Sequence, residues 1–356
     1  MTRKTEQRPT HMMIQGERAK SVPLKALDGD IVHVFEPGHV EAINFAIACG
    51  RPLLLTGETG VGKTQLARAA AKALGRAYVR HTCDPRTSGR DLLYGFDAVG
   101  RLADAQLAQY LNRGAPEPAA EDEAGTQAGR DADLGSTDPA GTDPRDAAAY
   151  LVPGPIWWGF QWAEADGLRR AKLPENPDHG DPANGCVVAI DEIDKADVDV
   201  ANALLEALGE GSFLPEHRGR PVRVGHVPPL VMLTSNGEKD FPHAFLRRCL
   251  VLEMALPPDN SDELRAFLVE RGRGHCGGGA RARWDTALSL AADALMKDRA
   301  AARRQGWSPL PGLAEYIDLL HVVEHYAESD TEKGYDDIIK RAKPYLLKKA
   351  GAFTRY

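Results

Sequence analysis

A segment near the start of the chain has the residue types and spacing of a phosphate-binding loop. The sequence GETGVGKT fits the pattern G-x-x-x-x-G-K-[ST] and lies between an apolar run and an alanine-rich segment. Gly57 and Gly62 allow this loop to curl so that successive backbone N–H groups point towards one anion. Lys63 is expected to reach the β- and γ-phosphates of a nucleotide, and the Thr64 hydroxyl to bind Mg²⁺. The predicted phosphate-binding loop consists of Gly57, Glu58, Thr59, Gly60, Val61, Gly62, Lys63 and Thr64.

Two adjacent acids follow a second apolar run and supply the chemistry of hydrolysis. The segment CVVAIDEIDKA places Asp191 and Glu192 directly after the apolar residues VVAI. Asp191 is predicted to be a second Mg²⁺ ligand, and Glu192 to accept a proton from the attacking water or to orient it. The alternative is that Glu192 and Asp194 cap the next helix. The acid pair favours a site that hydrolyses nucleotide over one that only stores it.

Two later segments carry further candidates for the same site. The run PLVMLTSN ends in Asn236, whose amide is predicted to bind the attacking water or the γ-phosphate; the alternative is an asparagine that begins a turn. The segment FLRRC then places Arg247 and Arg248 ahead of another apolar run. An arginine donated by a neighbouring subunit stabilises transition-state charge and contributes roughly 10³–10⁵ in rate. The alternative for Arg248 is a solvated basic helix end.

Short apolar runs alternate with helical patterns around these residues. An alternation of strands and helices predicts a parallel sheet covered on both faces, and runs such as VVAI and LVML suit strands buried on both sides. Helices are expected at Pro37–Cys49 and Gln65–Leu74, each followed by glycine. We therefore predict one α/β domain over residues 26–256. Its five strands are expected at Arg51–Gly57, Ala77–Cys83, Cys186–Asp191, Leu230–Ser235 and Cys249–Leu256.

The remainder of the chain departs from this alternation. Residues 1–25 show no sustained period and are predicted to be a flexible lead-in. The acidic stretch Gly114–Ala149 has few large apolar residues and is predicted to be a disordered insertion, with partner docking as the alternative. Lys172–Gly185 is expected to be a shorter loop of the same kind. Residues 257–356 are predicted to form a small all-helical domain, with helices at Ser261–Gly272, Trp284–Gln305, Gly312–Glu328 and Lys333–Lys349 and a loop at His275–Gly279.

Composition limits the classes of partner. The chain has 44 basic and 51 acidic side chains and a formal net charge of −7, so no global positive field attracts nucleic acid, although a local basic patch stays open. The apolar runs are far shorter than the roughly 20 residues that span a bilayer. The polar N-terminus has no signal-peptide apolar region, and the dispersed cysteines form no C-x-x-C pair. We therefore expect a cytoplasmic protein with no membrane partner.

Taken in order, these segments resemble the AAA+ ATPases, and within them the MoxR branch with the CbbQ, NorQ and GvpN-type proteins. The resemblance covers roughly residues 30–350. It implies a P-loop AAA+ fold, in which a five-stranded parallel sheet is followed by a small helical lid, with ATP and Mg²⁺ bound. Its strongest segments are EPGHVEAINFAIACGRPLLLTGETGVGKT, DLLYGFD with GPIWWGFQWA, AIDEIDKADVDVANALLEALGEGSF and FPHAFLRRC.

The resemblance also implies an assembly and a partner. Family members commonly form hexameric rings in which an arginine finger reaches the neighbour's γ-phosphate, and Arg248 matches that position. Gly211–His226 looks like the hairpin that precedes the asparagine in this branch. MoxR-type ATPases have a chaperone-like role and typically act on a von Willebrand A-domain client, which is the partner the resemblance implies.

The chain departs from the family pattern at two positions. Arg247 replaces an acid in a segment that commonly reads LPEAQLDRF, and SPLPGLAEYIDLL has no arginine where MoxR-type lids carry sensor 2. Arg303 and Arg304 are alternatives for that role.

Two other functions remain possible: a nucleic-acid motor or loader like the GTP-preferring McrB-type proteins, and a nucleotide-gated scaffold with negligible turnover. The acidic charge favours a protein partner, and Glu192 with Asn236 argues against the scaffold.

Overall fold

The computed structural model describes residues 13–16, 20–26, 29–113, 146–275, 284–327 and 331–347. Their strands are β1 (Ser21–Ala26), β2 (Gly29–Val34), β3 (Leu53–Thr56), β4 (Arg76–Thr82), β5 (Tyr94–Phe96), β6 (Leu151–Pro153), β7 (Asp181–Asp191), β8 (Ser212–Phe213), β9 (Val222–Arg223), β10 (Leu230–Ser235) and β11 (Leu250–Glu253). Their α-helices are α1 (Pro37–Cys49), α2 (Lys63–Leu74), α3 (Gly89–Leu93), α4 (Ala98–Arg113), α5 (Pro155–Phe160), α6 (Trp162–Asp166), α7 (Val198–Glu210), α8 (His243–Leu246), α9 (Asp262–His275), α10 (Trp284–Arg304), α11 (Leu313–Tyr326) and α12 (Glu332–Leu346). Ala147–Tyr150 and Ile193–Lys195 form 3₁₀ helices.

The centre of the molecule is a five-stranded parallel sheet in the order β11-β3-β10-β7-β4. Successive strand residues face opposite sides, because the side-chain period of a strand is two. Leu53 and Leu55 therefore pack in one core and Leu54 in the other; Val187 and Val188 divide in the same way. Helices cover both faces, and a helical C-terminal region follows. The predicted fold class is confirmed.

The register of the sheet brings the candidate site residues to one edge. Thr56 at the end of β3 pairs with Ser235 at the end of β10, and Leu233 of β10 pairs with Ile190 of β7. The carboxyl ends of parallel strands meet at the same edge, which is where open α/β sheets bind ligands. The phosphate-binding loop, Asp191 and the residue after Ser235 are thereby neighbours.

The N-terminal prediction is wrong for residues 21–25. Ser21–Ala26 forms β1, which pairs antiparallel with β2. Val22 and Leu24 are buried and alternate with exposed neighbours, the pattern of a strand with one face on the core. Ile14 is buried as well, and its backbone N–H donates to the Asn44 side chain at 3.0 Å. Residues 1–12 and 17–19 of the predicted lead-in lie outside the described residues.

Two loop predictions ended at the wrong residue. β7 begins at Asp181 rather than Cys186, because the Asp181 N–H donates to the Gly75 carbonyl at 3.1 Å and continues the pairing with β4. Residues 114–145 of the acidic insertion lie outside the described residues, and its last residues, Ala147–Ala149, belong to a 3₁₀ helix. That helix is fixed by Tyr150, which is buried and donates to Asp104 at 2.9 Å.

The four predicted C-terminal helices are present as α9 to α12, with ends shifted by a few residues. Leu264, Leu288, Tyr316 and Leu320 are fully buried in their shared core. His275 is the last residue of α9 rather than the first residue of a loop, and residues 276–280 lie outside the described part. The predicted division of the chain into domains at residue 256 stays a prediction. None of the helices in the described ranges is both long and apolar enough to cross a membrane.

Candidate active site

The phosphate-binding loop connects β3 to the N-terminus of α2. Gly57, Gly60 and Gly62 have φ angles of 140°, 82° and 102°, which side chains of L-residues rarely adopt. A Cβ atom on Gly57 would also lie 2.1 Å from the Met254 carbonyl oxygen. The loop curls because glycine stands at these positions, and the orphan N–H groups at the start of α2 follow directly at Lys63.

Lys63 is buried at the foot of the loop, with 6% of its surface exposed. Its ammonium donates to the carbonyls of Gly57 and Glu58 at 2.7 and 2.9 Å, and to Oδ1 of Asn236 at 2.8 Å. Burial lowers the pKa of Lys63, an effect that nearby carboxylates, Asp194 foremost, offset only in part. The Lys63 ammonium thus connects the first two residues of the loop to Asn236, which follows β10.

Two oxygen groups expected to bind Mg²⁺ lie together. The Thr64 hydroxyl donates to Oδ1 of Asp191 at 2.9 Å, and the Thr234 hydroxyl donates to the same oxygen at 3.0 Å. Asp191 is almost fully buried, and its Oδ2 accepts from Nε of Arg80 at 2.7 Å. Mg²⁺ prefers oxygen ligands and is usually held by one or two carboxylates, a hydroxyl and phosphate. The convergence of Thr64 and Asp191 beside the loop fits such an ion.

Glu192 adopts a left-handed backbone conformation, with φ of 56° and ψ of 43°. Its N–H donates to Oγ1 of Thr234 at 3.0 Å, which fixes the turn after β7. Non-glycine residues in this region carry strain and cluster at functional sites. The Glu192 carboxylate lines the cleft and accepts from the Lys195 ammonium through Oε2 at 2.7 Å, and it forms no side-chain cap bond.

Asp194, for which the sequence offers helix capping as an alternative, instead bonds the segment after β10. Its Oδ2 accepts from the backbone N–H groups of Asn236 and Glu238, both at 3.0 Å. The N-cap residue of α7 is Asp197. Asp194 therefore ties the turn after β7 to the segment after β10 and orients Asn236, whose side chain meets Lys63.

These side chains border a cleft of about 430 Å³ between the loop and α11. Leu313, Ala314 and Ile317 form its wall on the helical side. A Cβ on Gly60 would lie 2.9 Å from Cβ of Ala314, so the helix packs tightly on the loop. The predicted site residues that line the cleft are Thr59, Gly60, Gly62, Lys63, Thr64, Glu192 and Asn236. Val61 lines a second, more enclosed cavity of about 160 Å³ beside it.

Arg248 does not line this cleft. Its side chain is exposed and borders a different depression of about 600 Å³, with Glu206 and Glu210 of α7. No described residue forms a hydrogen bond or ion pair with its guanidinium. Arg247 is exposed as well, and its carbonyl accepts from Arg51 at 3.4 Å. Within the described chain, therefore, neither arginine lines the cleft beside the loop.

An arginine that the sequence did not single out does reach the loop. Arg299 of α10 is buried, and its Nη2 contacts both carboxylate oxygens of Glu58, at 2.7 and 2.8 Å. Arg303, an alternative for sensor 2, pairs instead with Asp259 at 2.7 Å and is largely exposed. The sequence signal for Arg299 is weak, because one arginine in a charged, alanine-rich helix is typical of a solvated face.

Part of the chain, including the phosphate-binding loop, is similar to a known protein family. Residues 42–218, just under half of the chain, match the family model of the AAA ATPase domain. No curated protein matches the chain. A similar solved structure, of a "putative ATPase" from Cytophaga hutchinsonii ATCC 33406, is 13% identical, with 87% of this chain and 79% of that chain covered and a TM-score of 0.35. The matched AAA ATPase domain contains the loop, Asp191 and Glu192, and supports ATPase activity in general terms; Asn236 and Arg248 lie beyond it.

Proposed function

We propose that this protein hydrolyses ATP in a Mg²⁺-dependent reaction at the cleft between the phosphate-binding loop and α11. The observation that carries the proposal is the 2.9 Å contact between the Thr64 hydroxyl and the Asp191 carboxylate, directly beside a glycine-curled loop at a helix N-terminus. Two predicted metal ligands from segments far apart in sequence meet there. A P-loop site needs this convergence to bridge a metal to nucleotide phosphates.

Each residue has a distinct role in this proposal. The loop N–H groups and the Lys63 ammonium would bind the phosphates, and Thr64 and Asp191 would hold Mg²⁺, which would supply positive charge to the transferred phosphoryl group. Glu192 lies in the cleft, and its Oε1 makes no hydrogen bond to a described residue, so that oxygen accepts a proton from water. Asn236 exchanges its contact with Lys63 for the water or the γ-phosphate. Hydrolysis is favoured over storage because Glu192 and Asn236 both face the loop.

We further propose that the active form is a homo-oligomeric ring, a hexamer in the MoxR-like manner, with Arg248 completing the neighbour's site. Support comes from the position of Arg248, which is exposed, lacks a described charge partner and lies outside the cleft of its own chain. A cytoplasmic chaperone-like role follows from the resemblance, with a von Willebrand A-domain protein as the proposed client. The acidic net charge favours a protein client over nucleic acid.

The proposal is tested by measuring ATP hydrolysis per protomer over a range of protein concentrations. Wild type is compared with Arg248→Ala, with Arg247→Ala as the matched control on the same exposed segment. We expect activity per protomer to rise with concentration, to fall roughly 10³-fold or more in Arg248→Ala, and to persist in Arg247→Ala.

A mixing experiment separates a role in trans from a role in cis. Lys63→Ala lacks a working loop but carries Arg248, whereas Arg248→Ala has the opposite composition. If the arginine acts across a subunit boundary, mixing the two inactive variants restores part of the activity. Substantial activity that does not depend on concentration, with no loss in Arg248→Ala, would overturn the ring proposal while leaving the ATPase proposal in place.

The nucleic-acid alternative is separated by substrate preference and stimulation. A McrB-like motor is expected to prefer GTP and to turn over faster when DNA is added, whereas a protein remodeller is expected to respond to neither. Comparing ATP with GTP, with and without duplex DNA, decides between these functions. Turnover near zero under every condition would favour the nucleotide-gated scaffold.

A further inference from the structure

The side chain of Arg299 joins three separate segments at one buried point. Only 2% of its surface is exposed. Its Nε donates to Oδ1 of Asp259 at 2.7 Å, and its Nη1 donates to the Pro311 carbonyl at 2.8 Å. Its Nη2 bonds the Glu58 carboxylate of the phosphate-binding loop. Arg299 therefore connects the loop to the segment that follows β11 and to the segment that leads into α11.

Glu58 is the second carboxylate bound to Arg299. Asp259, which is mostly buried, already supplies a carboxylate to Arg299 and also pairs with Arg303. Glu58 is itself 44% exposed, so it is not forced into the contact by burial. Because Asp259 is shared with Arg303, Glu58 supplies the second negative charge at this buried arginine, and it does so from the phosphate-binding loop.

Glu58 is held from two sides. Its backbone carbonyl accepts from the Lys63 ammonium, and its carboxylate is bound by Arg299. The next two loop residues also meet the helical region, because Gly312 packs near the Thr59 carbonyl and Ala314 packs on Gly60. Three consecutive loop residues therefore lie against the helical region.

We propose that Arg299 is a positioning residue that sets the conformation of the phosphate-binding loop through Glu58, so that nucleotide binding is coupled to the segment preceding α11. This inference rests on the proposed nucleotide-binding function. A loop held in its binding conformation loses less conformational freedom when the ligand binds. Without the contact between Arg299 and Glu58, the loop samples more conformations, and its affinity for nucleotide falls.

The test compares Glu58→Ala with Glu58→Gln, measured by the dissociation constant for ADP. Both variants lose the same charge near the phosphate site, but glutamine keeps an oxygen that accepts from Arg299. The difference between them therefore isolates the hydrogen bond from the electrostatic effect. Asp293→Ala is the matched control, because Asp293 makes a bidentate contact with Arg265 in the helical region and does not touch the loop.

A second readout follows the coupling itself. Amide hydrogen exchange of the peptide covering residues 306–316 is measured with and without ADP. We expect Glu58→Ala to bind ADP roughly 3- to 10-fold more weakly than Glu58→Gln. We expect ADP to protect the peptide in wild type, Glu58→Gln and Asp293→Ala but not in Glu58→Ala. Thermal stability is measured alongside. If Glu58 only stabilised the fold, Glu58→Ala would be less thermally stable than Asp293→Ala; loss of the ADP-dependent protection at unchanged thermal stability indicates a positioning role.

The outcomes separate this inference from the proposed function. Equal ADP affinity and equal protection in Glu58→Ala and Glu58→Gln would overturn the positioning role while wild-type binding remains dependent on Lys63. ADP binding that is absent in wild type, or unchanged in Lys63→Ala, would overturn the proposed function and this inference with it.

Discussion

The carboxylate of Asp194 holds the backbone of Asn236, with Oδ2 of Asp194 lying 3.0 Å from the Asn236 nitrogen. The Asn236 side chain in turn accepts from Lys63 at 2.8 Å. A continuous set of hydrogen bonds thus runs from the turn after β7, through the end of β10, to the foot of the phosphate-binding loop. The placement of Asn236 depends on an acid that lies three residues after Asp191 in the sequence.

Replacing Asp194 should impair turnover more than binding. Asp194→Ala leaves the N–H groups of Asn236 and Glu238 without their acceptor, so we expect kcat for ATP hydrolysis to fall roughly tenfold or more. ADP affinity is expected to change less, because the loop and Lys63 are intact. The measurement is kcat and KM for ATP together with the dissociation constant for ADP.

Asp194→Asn is the matched control for this prediction. Asparagine keeps one oxygen that accepts both N–H groups, and the second Asp194 oxygen, Oδ1, has no partner among the described residues. We expect Asp194→Asn to retain most of the turnover that Asp194→Ala loses. Equal losses in both variants would show that the negative charge, and not the hydrogen bonds, is what matters.

If Asp191 binds Mg²⁺ as proposed, Arg80 is expected to compete with the metal ion for the Asp191 carboxylate. Its Nε lies 2.7 Å from Oδ2 of Asp191, and its side chain is about half exposed, at 53%. Removing this cation leaves the Asp191 charge less neutralised, so Arg80→Ala should reach half-maximal ATPase activity at a Mg²⁺ concentration roughly 2- to 5-fold lower. Arg90→Ala removes a similarly exposed arginine, whose partner Glu216 is not a predicted metal ligand, and should leave the Mg²⁺ dependence unchanged. A Mg²⁺ dependence that does not move in Arg80→Ala would contradict the competition.

Acid should destabilise the fold through His33. Burial lowers the pKa of His33 from 6.5 to about 3, although a hydrogen bond with Gln65 opposes the shift. Because the folded-state pKa is below the unfolded one, the unfolded chain binds the extra proton between these values. The contribution to stability is present above pH 6.5 and is lost as the pH falls towards the folded-state pKa.

Urea unfolding at pH 7 and pH 5 measures this contribution. His33→Asn removes the titrating ring, so the variant should lose about 2 kcal/mol less stability than wild type between those two pH values. His33→Asn is expected to be less stable at both pH values, because it also changes packing. The prediction therefore concerns the change in the free energy of unfolding between pH 7 and pH 5. An identical change in the free energy of unfolding in wild type and His33→Asn would show that His33 does not cause the loss of stability in acid.

The placement of the candidate site residues in the fold could be predicted from sequence where they follow a buried strand. Asp191 and Asn236 end or follow apolar runs, and Lys63 ends the loop after a third such run; parallel strands bring their carboxyl ends together whatever the loop lengths between them. The strand Leu230–Ser235 and the helix Pro37–Cys49 were also placed correctly, because apolar periodicity and a closing glycine mark their limits.

Contacts between distant segments could not be predicted in the same way. The Arg299–Glu58 contact joins residues 241 positions apart, and no local pattern encodes which carboxylate a helical arginine reaches. β1 was missed because Val22 and Leu24 provide only two buried positions, too few to establish a period of two. The contact of Asp194 with the segment after β10 could not be predicted, because helix capping is the commoner role for an aspartate just before a helix.

The central claim, that this cleft hydrolyses ATP with Glu192 as the group that activates water, is tested most directly by Glu192→Gln. Wild-type protein and the variant are assayed for ATP binding and for phosphate release with Mg²⁺ present. The account predicts that Glu192→Gln binds ATP as tightly as wild type and releases phosphate at least 100-fold more slowly, since general-base catalysis contributes roughly 10²–10⁴ in rate. Phosphate release at the wild-type rate in Glu192→Gln would contradict it.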